Sequence, residues 1–437
     1  MRASALVIAL AAGCGSRGAP SSHVIVNAFG GDRAEPGALV IAHSPDGQLI
    51  DEAAADAVGR AEVGVDADSL VSVVFPGTIT NITPVISVIT TMPPADGSEL
   101  SIHGPDHSSA PPLIVGVLTV DAPNLNTATY FDVRLGCTTV RVTKLPATVD
   151  VSGCNMGSDQ NLDVLVRGYH DLGGDPPAPQ LDGYGAGRVP MVNGVASFTV
   201  PSWETGGTAV AVTLDGVTPY LDWVMHVDGL DFISEPVATQ PHLYTGLVVD
   251  ATSITATVPA ENGARITTRE VTGAPASLAF ATADFLPTLT SRPTIVSTSP
   301  ATISWAATDI AADALNLHAT WDVTAAVSPA GRSESGQHSG DVVPPGPHRV
   351  VWDAVLPPSA AGVTLPVLGD DIGAAIEPAQ GIVAIDVLLR AIDGSAQEGF
   401  AGVLAAGIRA EETIQASTIV PRPVDGEVRV AHTIGGP

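Results

Sequence analysis

The three cysteines are the side chains best suited to covalent chemistry in this 437-residue chain, and Cys14 has the most distinctive surroundings. After Arg2, residues 3–12 (ASALVIALAA) form a short apolar segment, and small residues lead from it into the cysteine. A positive start, an apolar segment and small residues before a cleavage point are the parts of an export signal. The segment is too short to span a bilayer, which takes about 20 residues. We therefore expect residues 1–13 to be a cleaved signal peptide.

The residues that lead into Cys14 (AAGC) resemble the lipobox of bacterial lipoproteins. In that family the cysteine sulfur carries a diacylglycerol, and the amine that cleavage frees is usually acylated as well. The resemblance implies lipidation of Cys14 and a stable anchor, since several acyl chains hold a protein firmly on a membrane. Residues 14–22 would then be the lipidated cysteine and a flexible tether. An ordinary secretory peptide or a frayed N-terminal helix is the alternative interpretation.

Cys137 and Cys154 are the pair of cysteines that remains. An even number of cysteines in an exported chain favours a disulfide. Two β-rich segments, TTVRVTK and ATVDVSG, flank Leu145 and Pro146 between them. A hairpin about that centre would place the two cysteines opposite each other, at a separation that a disulfide can span. Two buried free thiols, or a metal pair without further ligands, are the alternatives.

Histidines and a carboxylate come close together in the segment HGPDH, which contains His103, Asp106 and His107. Two imidazoles share a metal readily from one face of a helix, but the Gly and Pro between these residues oppose a helix. We interpret the segment as a solvated linker and predict no zinc site. No D-x-[DN]-x-[DN]-G loop occurs, so no cofactor is predicted, although loop carboxylates would suit a structural calcium ion.

A second polar segment, GRSESGQHSGD, contains Ser335, His338 and Asp341, the three residue types of a hydrolase triad. It lacks the G-x-S-x-G turn that exposes a nucleophilic serine, and its polarity is that of an exposed loop. Neighbouring carboxylates such as Asp370 and Asp371 point to opposite faces of a strand, so their adjacency does not indicate a glycosidase pair. The sequence therefore predicts no catalytic residues and no enzyme.

Trp203 is the candidate for ligand binding, because its turn-like context, PSWETGG, could present the ring to a stacked sugar. The other tryptophans lie in strand-like segments, where a place in the core is favoured. They are Trp223, Trp305, Trp321 and Trp352.

The composition points to an acidic, strand-rich protein. Only 18 Lys and Arg stand against 46 Asp and Glu, a formal net charge of -28, so the surface would repel phosphate backbones and nucleic acid is excluded as a partner. The 45 Gly and 36 Pro interrupt the chain too often for long helices. We predict an all-β fold of tandem Ig-like or prealbumin-like sandwich domains after the signal peptide.

Residues 37–75 resemble the carboxypeptidase regulatory-like domain, a prealbumin-like sandwich. The resemblance rests on the strand LVIAHS, the turn at Asp46 and Gly47, and the segment ADAVGR followed by AEVGV and LVSVVF. An Asp and a Gly form the tight turn that feeds a strand with alternate inward residues, here Ala61, Val63 and Val65. The resemblance implies an accessory module with a structural or binding role.

Changes in composition predict three units behind the tether. We expect a carboxypeptidase regulatory-like sandwich at 23–107 and a sandwich with the cystine hairpin at 110–219, which includes a surface loop over 173–187. Residues 220–437 would form one or two further sandwiches, with a boundary near residue 290 in the second case.

The predicted function is that of a lipid-anchored protein of the cell envelope with a structural, adhesive or binding role. Gly15 lacks the aspartate that retains enteric lipoproteins at the inner membrane, which favours the outer membrane. The expected partners are the membrane, through the anchor, and envelope proteins or glycans. Carbohydrate binding or glycan hydrolysis through Trp203 and loop carboxylates is the alternative, and a periplasmic assembly factor is a third hypothesis.

Overall fold

The prediction of an all-β fold is confirmed, since strands make up most of the chain that the structure describes. No helix in this part of the chain is both long and apolar enough to cross a membrane. The computed structural model describes residues 20–31, 33–79, 84–94, 99–105, 116–135, 138–151, 161–172, 179–205, 210–215, 220–227, 230–233, 242–244, 251–272, 277–289, 292–306, 310–323, 347–368, 375–378, 386–394, 399–409 and 427–435.

The first part of the chain folds into short strands that alternate buried and more exposed residues. In β1 (Ser22–Gly30) the buried apolar side chains are Val24, Val26 and Ala28, which is the two-residue period of a strand with one face inside. The following strands are β2 (Arg33–Ala34), β3 (Leu39–His43), β4 (Leu49–Ala54), β5 (Arg60–Val65), β6 (Leu70–Ile79), β7 (Pro84–Thr91) and β8 (Leu100–Gly104).

The middle of the chain forms two sheets that pack face to face around one apolar core. One sheet has the order β11-β10-β13-β14, and the other has the order β12-β9-β15. The strands are β9 (Val117–Asp121), β10 (Tyr130–Leu135), β11 (Thr138–Val142), β12 (Ala147–Asp150), β13 (Asn161–Asp171), β14 (Pro179–Pro190) and β15 (Val195–Thr199).

The last part of the chain contributes further strands, the helix α1 (Gly399–Ala406) and a 3-10 helix (Thr282–Asp284). The strands are β16 (Val210–Asp215), β17 (Tyr220–Val227), β18 (Leu230–Ile233), β19 (His242–Tyr244), β20 (Ala251–Ala260), β21 (Gly263–Thr272), β22 (Ser277–Ala281), β23 (Thr294–Thr298), β24 (Ala301–Ser304), β25 (Ala314–Val323), β26 (His348–Leu356), β27 (Gly362–Thr364), β28 (Asp386–Gly394), β29 (Ile408–Arg409) and β30 (Glu427–Ile434).

One large sheet joins the two ends of the chain. Its twelve strands have the order β18-β17-β20-β21-β30-β28-β25-β26-β7-β6-β3-β4. The junction is the parallel pairing of β7 with β26, in which Val88 lies opposite Trp352. The predicted ranges 23–107 and 220–437 therefore share a sheet, and the limits of separate domains stay predictions.

Smaller sheets cover part of each face of this sheet. On one face, Ile86 and Trp352 pack with Ile303 and Val363 of the sheet β23-β24-β27. On the other face, Val73 and Phe75 pack against β1, β5, β8 and α1. Burial on both faces explains why β6, with LVSVVF, has an almost continuous apolar run instead of strict alternation.

The strands on either side of Leu145 and Pro146 do not pair with each other. β11 pairs with β10, where Thr138 lies opposite Leu135, whereas β12 pairs with β9 in the facing sheet. The predicted hairpin of residues 138–144 with 147–153 is therefore wrong. The chain changes sheets here because Val140 and Val149 both pack into the core between the sheets.

The predicted surface loop at 173–187 is also wrong where the structure describes it. Residues 179–190 form β14, which pairs with β13 along its length. A Cβ atom on Gly185 would lie 2.5 Å from Cγ1 of Val200, and one on Gly187 would lie 2.6 Å from Cε2 of Phe198. The glycines therefore allow the facing sheet to approach closely. Because glycine has no side chain, this segment lacks the alternation of apolar residues by which a strand is predicted from sequence.

Candidate functional site

Most residues that the sequence singled out for chemistry lie outside the described residues. Their modification, pairing or catalysis stays a prediction. These residues are Cys14, Asp106, His107, Cys137, Cys154, Ser335, His338, Asp341, Asp370 and Asp371.

Trp203 is described and is half-buried at one end of the middle sandwich. Its ring stacks on Phe131, with centroids 5.8 Å apart, and its indole N–H donates to the carbonyl of Pro123 at 2.6 Å. The next residue, Glu204, accepts a hydrogen bond from the hydroxyl of Tyr184 at 2.8 Å. One ring face and the polar N–H of Trp203 are therefore occupied by the protein itself.

His103, the described histidine of the HGPDH segment, also packs within the protein. Its ring stacks on Phe29, with centroids 4.7 Å apart, and Nδ1 donates to the carbonyl of Gly31 at 2.7 Å. Within the described segments, no group of three His, Cys, Asp or Glu side chains is arranged to hold a metal ion. His103 thus orients the end of β8 against β1.

A group of arginines lies on one face of the large sheet, where β21, β30 and β28 are neighbours. Strand pairing brings Arg269 opposite Glu427 and Arg429 opposite Asp393. Arg429 donates from Nε to Asp393 at 2.7 Å, and Arg269 forms ion pairs with Glu427 and Asp284. Arg429 also forms an ion pair with Glu427 at 3.7 Å, so two arginines and three carboxylates form one connected network.

Arg265 lies on the same face but outside this network. It is four residues before Arg269 on β21, so the two side chains point to the same side of the sheet. Its guanidinium carbon lies 5.9 Å from the ring centroid of Phe285, and its buried Nε has no hydrogen-bond partner. A buried donor without a partner is costly, commonly by about 1–3 kcal/mol. No carboxylate in the described chain forms an ion pair with Arg265.

Arg265, Phe285 and Arg429 line an open cleft of about 500 Å³. Arg265 and Arg429 contribute its charge, while Phe285, Leu286 and Pro287 form an apolar wall. The 3-10 helix at Thr282–Asp284 shapes the wall and is held to the sheet by a hydrogen bond from Thr267 Oγ1 to the carbonyl of Asp284 at 2.8 Å. We take this arginine cleft as the candidate functional site.

The arginine cleft was not predicted from the sequence. The alternation in GARITTREVT would have placed Arg265 and Arg269 on one face of a strand, which was the available signal. Nothing local in the sequence shows that β30, more than 150 residues later, supplies a carboxylate partner to Arg269 but none to Arg265.

A second polar group, also missed, lies inside the large sheet. His318 donates from Nδ1 to Asp353 at 2.8 Å, and the buried carboxylate fixes the ring orientation. Asn316 is fully buried, and neither its amide nitrogen nor its oxygen has a hydrogen-bond partner. Arg390 lies opposite Asn316 on β28, and His432 lies opposite Arg390 on β30. Burial lowers the pKa of His432, and the charge of Arg390 lowers it further.

Comparisons with known proteins do not assign the chain to a family. No protein-family model matches the chain, and no curated protein matches it. Among solved structures, the Bacillus anthracis TIE protein is similar at 10% sequence identity over 60% of this chain and 50% of that chain. The chain therefore spans about half the length of that protein, and the TM-score is 0.13. A TM-score this low carries no argument about fold or function.

Proposed function

We propose that the chain is an exported protein that a lipid on Cys14 holds in the cell envelope, with a structural, adhesive or binding role and without catalysis. The observation that carries the proposal is the apolar segment at 3–12, which ends in small residues directly before Cys14. The first strand, β1, begins at Ser22, so a short polar stretch would separate the lipid from the folded body. We place the anchor in the outer membrane.

The folded body supports a role in binding more than one in chemistry. Three apolar cores hold many of the described strands together, and the arginine cleft opens on the face of the large sheet. The overall charge of -28 favours partners that are not polyanions, such as envelope proteins or neutral glycans. We therefore propose that the sandwiches form a rigid support that presents binding surfaces away from the membrane.

Intact mass spectrometry of the protein extracted from host membranes tests this proposal. We expect a mass that fits residues 14–437 plus acyl chains, and a Cys14→Ser variant that lacks the acyl chains. If Cys137 and Cys154 are paired, reduction will raise the mass by two hydrogen atoms. A full-length, unmodified chain that stays in the soluble fraction would overturn the anchor and the proposed location.

A further inference from the structure

We infer that the arginine cleft binds a small organic carboxylate that also carries an apolar group. The inference rests on the proposed binding role, but it does not depend on the lipid anchor. The cleft combines a cation that has no carboxylate partner in the described part of the chain with apolar lining residues, at a volume of about 500 Å³, which suits a small molecule.

The cleft is positively charged. Its lining in the described chain contains Arg265 and Arg429 and no carboxylate side chain. Arg429 is engaged by Asp393 and Glu427, so its charge is largely compensated. Arg265 has no such partner among the described residues, and it is a local positive charge in a protein that is strongly negative overall. An anion would therefore be attracted to this point of the surface and repelled from most others.

The shape of the charged group favours a carboxylate. A guanidinium group is planar and presents paired donors that match the two oxygens of a carboxylate. Phosphate can also bind arginine, but it is usually held by several donors, because it carries more charge and more oxygens. Arg265 is one guanidinium group that no carboxylate of the described residues compensates, so the match is to a single negative charge.

The walls of the cleft define the rest of the ligand. Pro287, Ala283 and Ala311 are exposed and offer apolar surface in the lining of the cleft, whereas Phe285 and Leu286 are almost fully buried. Removal of apolar surface from water stabilises a complex by about 25 cal/mol per Å². Acetate would gain the ion pair alone, whereas an aromatic acid would gain the ion pair and the apolar contact.

Titration calorimetry of the full chain with Cys14→Ser, purified without detergent, tests the inference. The probes are benzoate, acetate, benzyl alcohol and inorganic phosphate. We expect one benzoate per chain, and weaker binding of the other three probes. Absence of benzoate binding, or tighter binding of acetate, benzyl alcohol or phosphate, would overturn the inference. Because lipidation plays no part in this experiment, its failure is separate from a failure of the anchor.

Two variants locate the binding. Arg265→Gln should weaken benzoate by about 10- to 100-fold, which is the typical effect of losing a hydrogen bond to a charged group. Arg349→Gln is the matched control, because Arg349 is an exposed arginine paired with Asp322 on β25, remote from the cleft lining. Equal affinity of Arg265→Gln and Arg349→Gln would place the ligand elsewhere.

A third variant covers the case in which Arg265→Gln does not fold. Ala283→Trp keeps the arginine and fills the cleft from an exposed position, so it should fold normally and lose benzoate binding. Thermal melting of each variant establishes that it is folded. If folded Ala283→Trp binds benzoate as the parent chain does, the inference is wrong.

Discussion

The indole of Trp352 on β26 donates a hydrogen bond to the hydroxyl of Thr90 on β7, at 2.9 Å, between side chains 262 residues apart in the chain. Both side chains are fully buried, and their strands form the parallel pair that joins the two ends of the chain in one sheet. The bond therefore lies at the point where the large sheet depends on a long-range contact.

Replacement of Thr90 by Val tests the strength of this contact. The side chains are nearly equal in volume, but Val cannot accept the indole hydrogen, so a buried donor on Trp352 loses its partner. We expect the free energy of unfolding to fall by about 1–3 kcal/mol. Urea denaturation gives the value, and Thr148→Val, at an exposed position on β12, is the control. Equal stability of the two variants would show that the bond contributes little.

The same hydroxyl belongs to a chain of hydrogen bonds that ends at His43. The Nδ1 atom of His43 lies 3.0 Å from the carbonyl of Ser44 and must donate to it, so Nε2 accepts from the hydroxyl of Ser72 at 2.9 Å. Ser72 in turn accepts from Thr90 at 2.7 Å, and Thr90 accepts from Trp352. In this chain of hydrogen bonds, every donor has its own acceptor only when the imidazole of His43 is neutral.

This arrangement predicts that stability falls in mild acid. Burial lowers the pKa of His43 from 6.5 to about 4. Between these values the unfolded chain binds a proton that the folded chain does not, so the contribution is complete above pH 6.5 and is lost as the pH falls towards 4. The loss should reach about 3 kcal/mol.

The free energy of unfolding of the parent chain and of His43→Gln, measured between pH 4 and 7, checks this prediction. The difference between the two curves should change with pH only in this window, because the acidic groups contribute equally to both. His23→Gln is the control, since His23 is exposed on β1. A constant difference between the parent chain and His43→Gln would mean that the imidazole is not held neutral.

Local features of the fold could be predicted from the sequence. The Asp-Gly turn before AEVGV is present: Asp56 accepts hydrogen bonds from the backbone of Val58 and Arg60, both at 2.9 Å. These bonds hold the pKa of Asp56 below its usual range. The next strand buries Ala61, Val63 and Val65, as the alternation predicts. Such turns, and the alternation of buried and exposed residues along a strand, depend on residues that are close together in the sequence and can therefore be predicted from it.

Pairing between distant strands could not be predicted in this way. The apolar runs of β7 and β26 indicate buried strands, but they do not show that the two are neighbours. The same limit explains the wrong hairpin at Leu145 and the missed arginine cleft. Whether Arg265 meets a carboxylate depends on the register of β30, which pairs Arg269 with Glu427 and places Ala431 opposite Arg265.

Trp203 distinguishes a structural role from the proposed alternative of glycan binding. Because the ring packs on Phe131 and its N–H is bonded to Pro123, Trp203→Ala should lower the stability of the middle sandwich by about 2–4 kcal/mol. Trp203→Phe should retain part of the packing and lose less. Denaturation of both variants, followed by a binding assay with cell-wall glycan, checks this prediction. Unchanged stability together with a loss of glycan binding would instead favour the carbohydrate alternative.

Two glycines with similar positive φ angles distinguish the conformational cost of an alanine substitution from its steric cost. Gly37 has φ +83° and Gly59 has φ +76°, so alanine at either position enters the left-handed region at about 1–2 kcal/mol. A Cβ atom on Gly37 would meet nothing within 4 Å, whereas one on Gly59 would lie 2.4 Å from the carbonyl oxygen of Ala28. The backbone of β1 cannot move without disturbing the apolar core that β1 packs into. Gly59→Ala should therefore lower the free energy of unfolding by about 1–3 kcal/mol more than Gly37→Ala. Urea denaturation of the two variants gives the difference. Equal losses would show that β1 can shift at Ala28, and that the Asp56 turn is less tightly packed against β1 than these distances indicate.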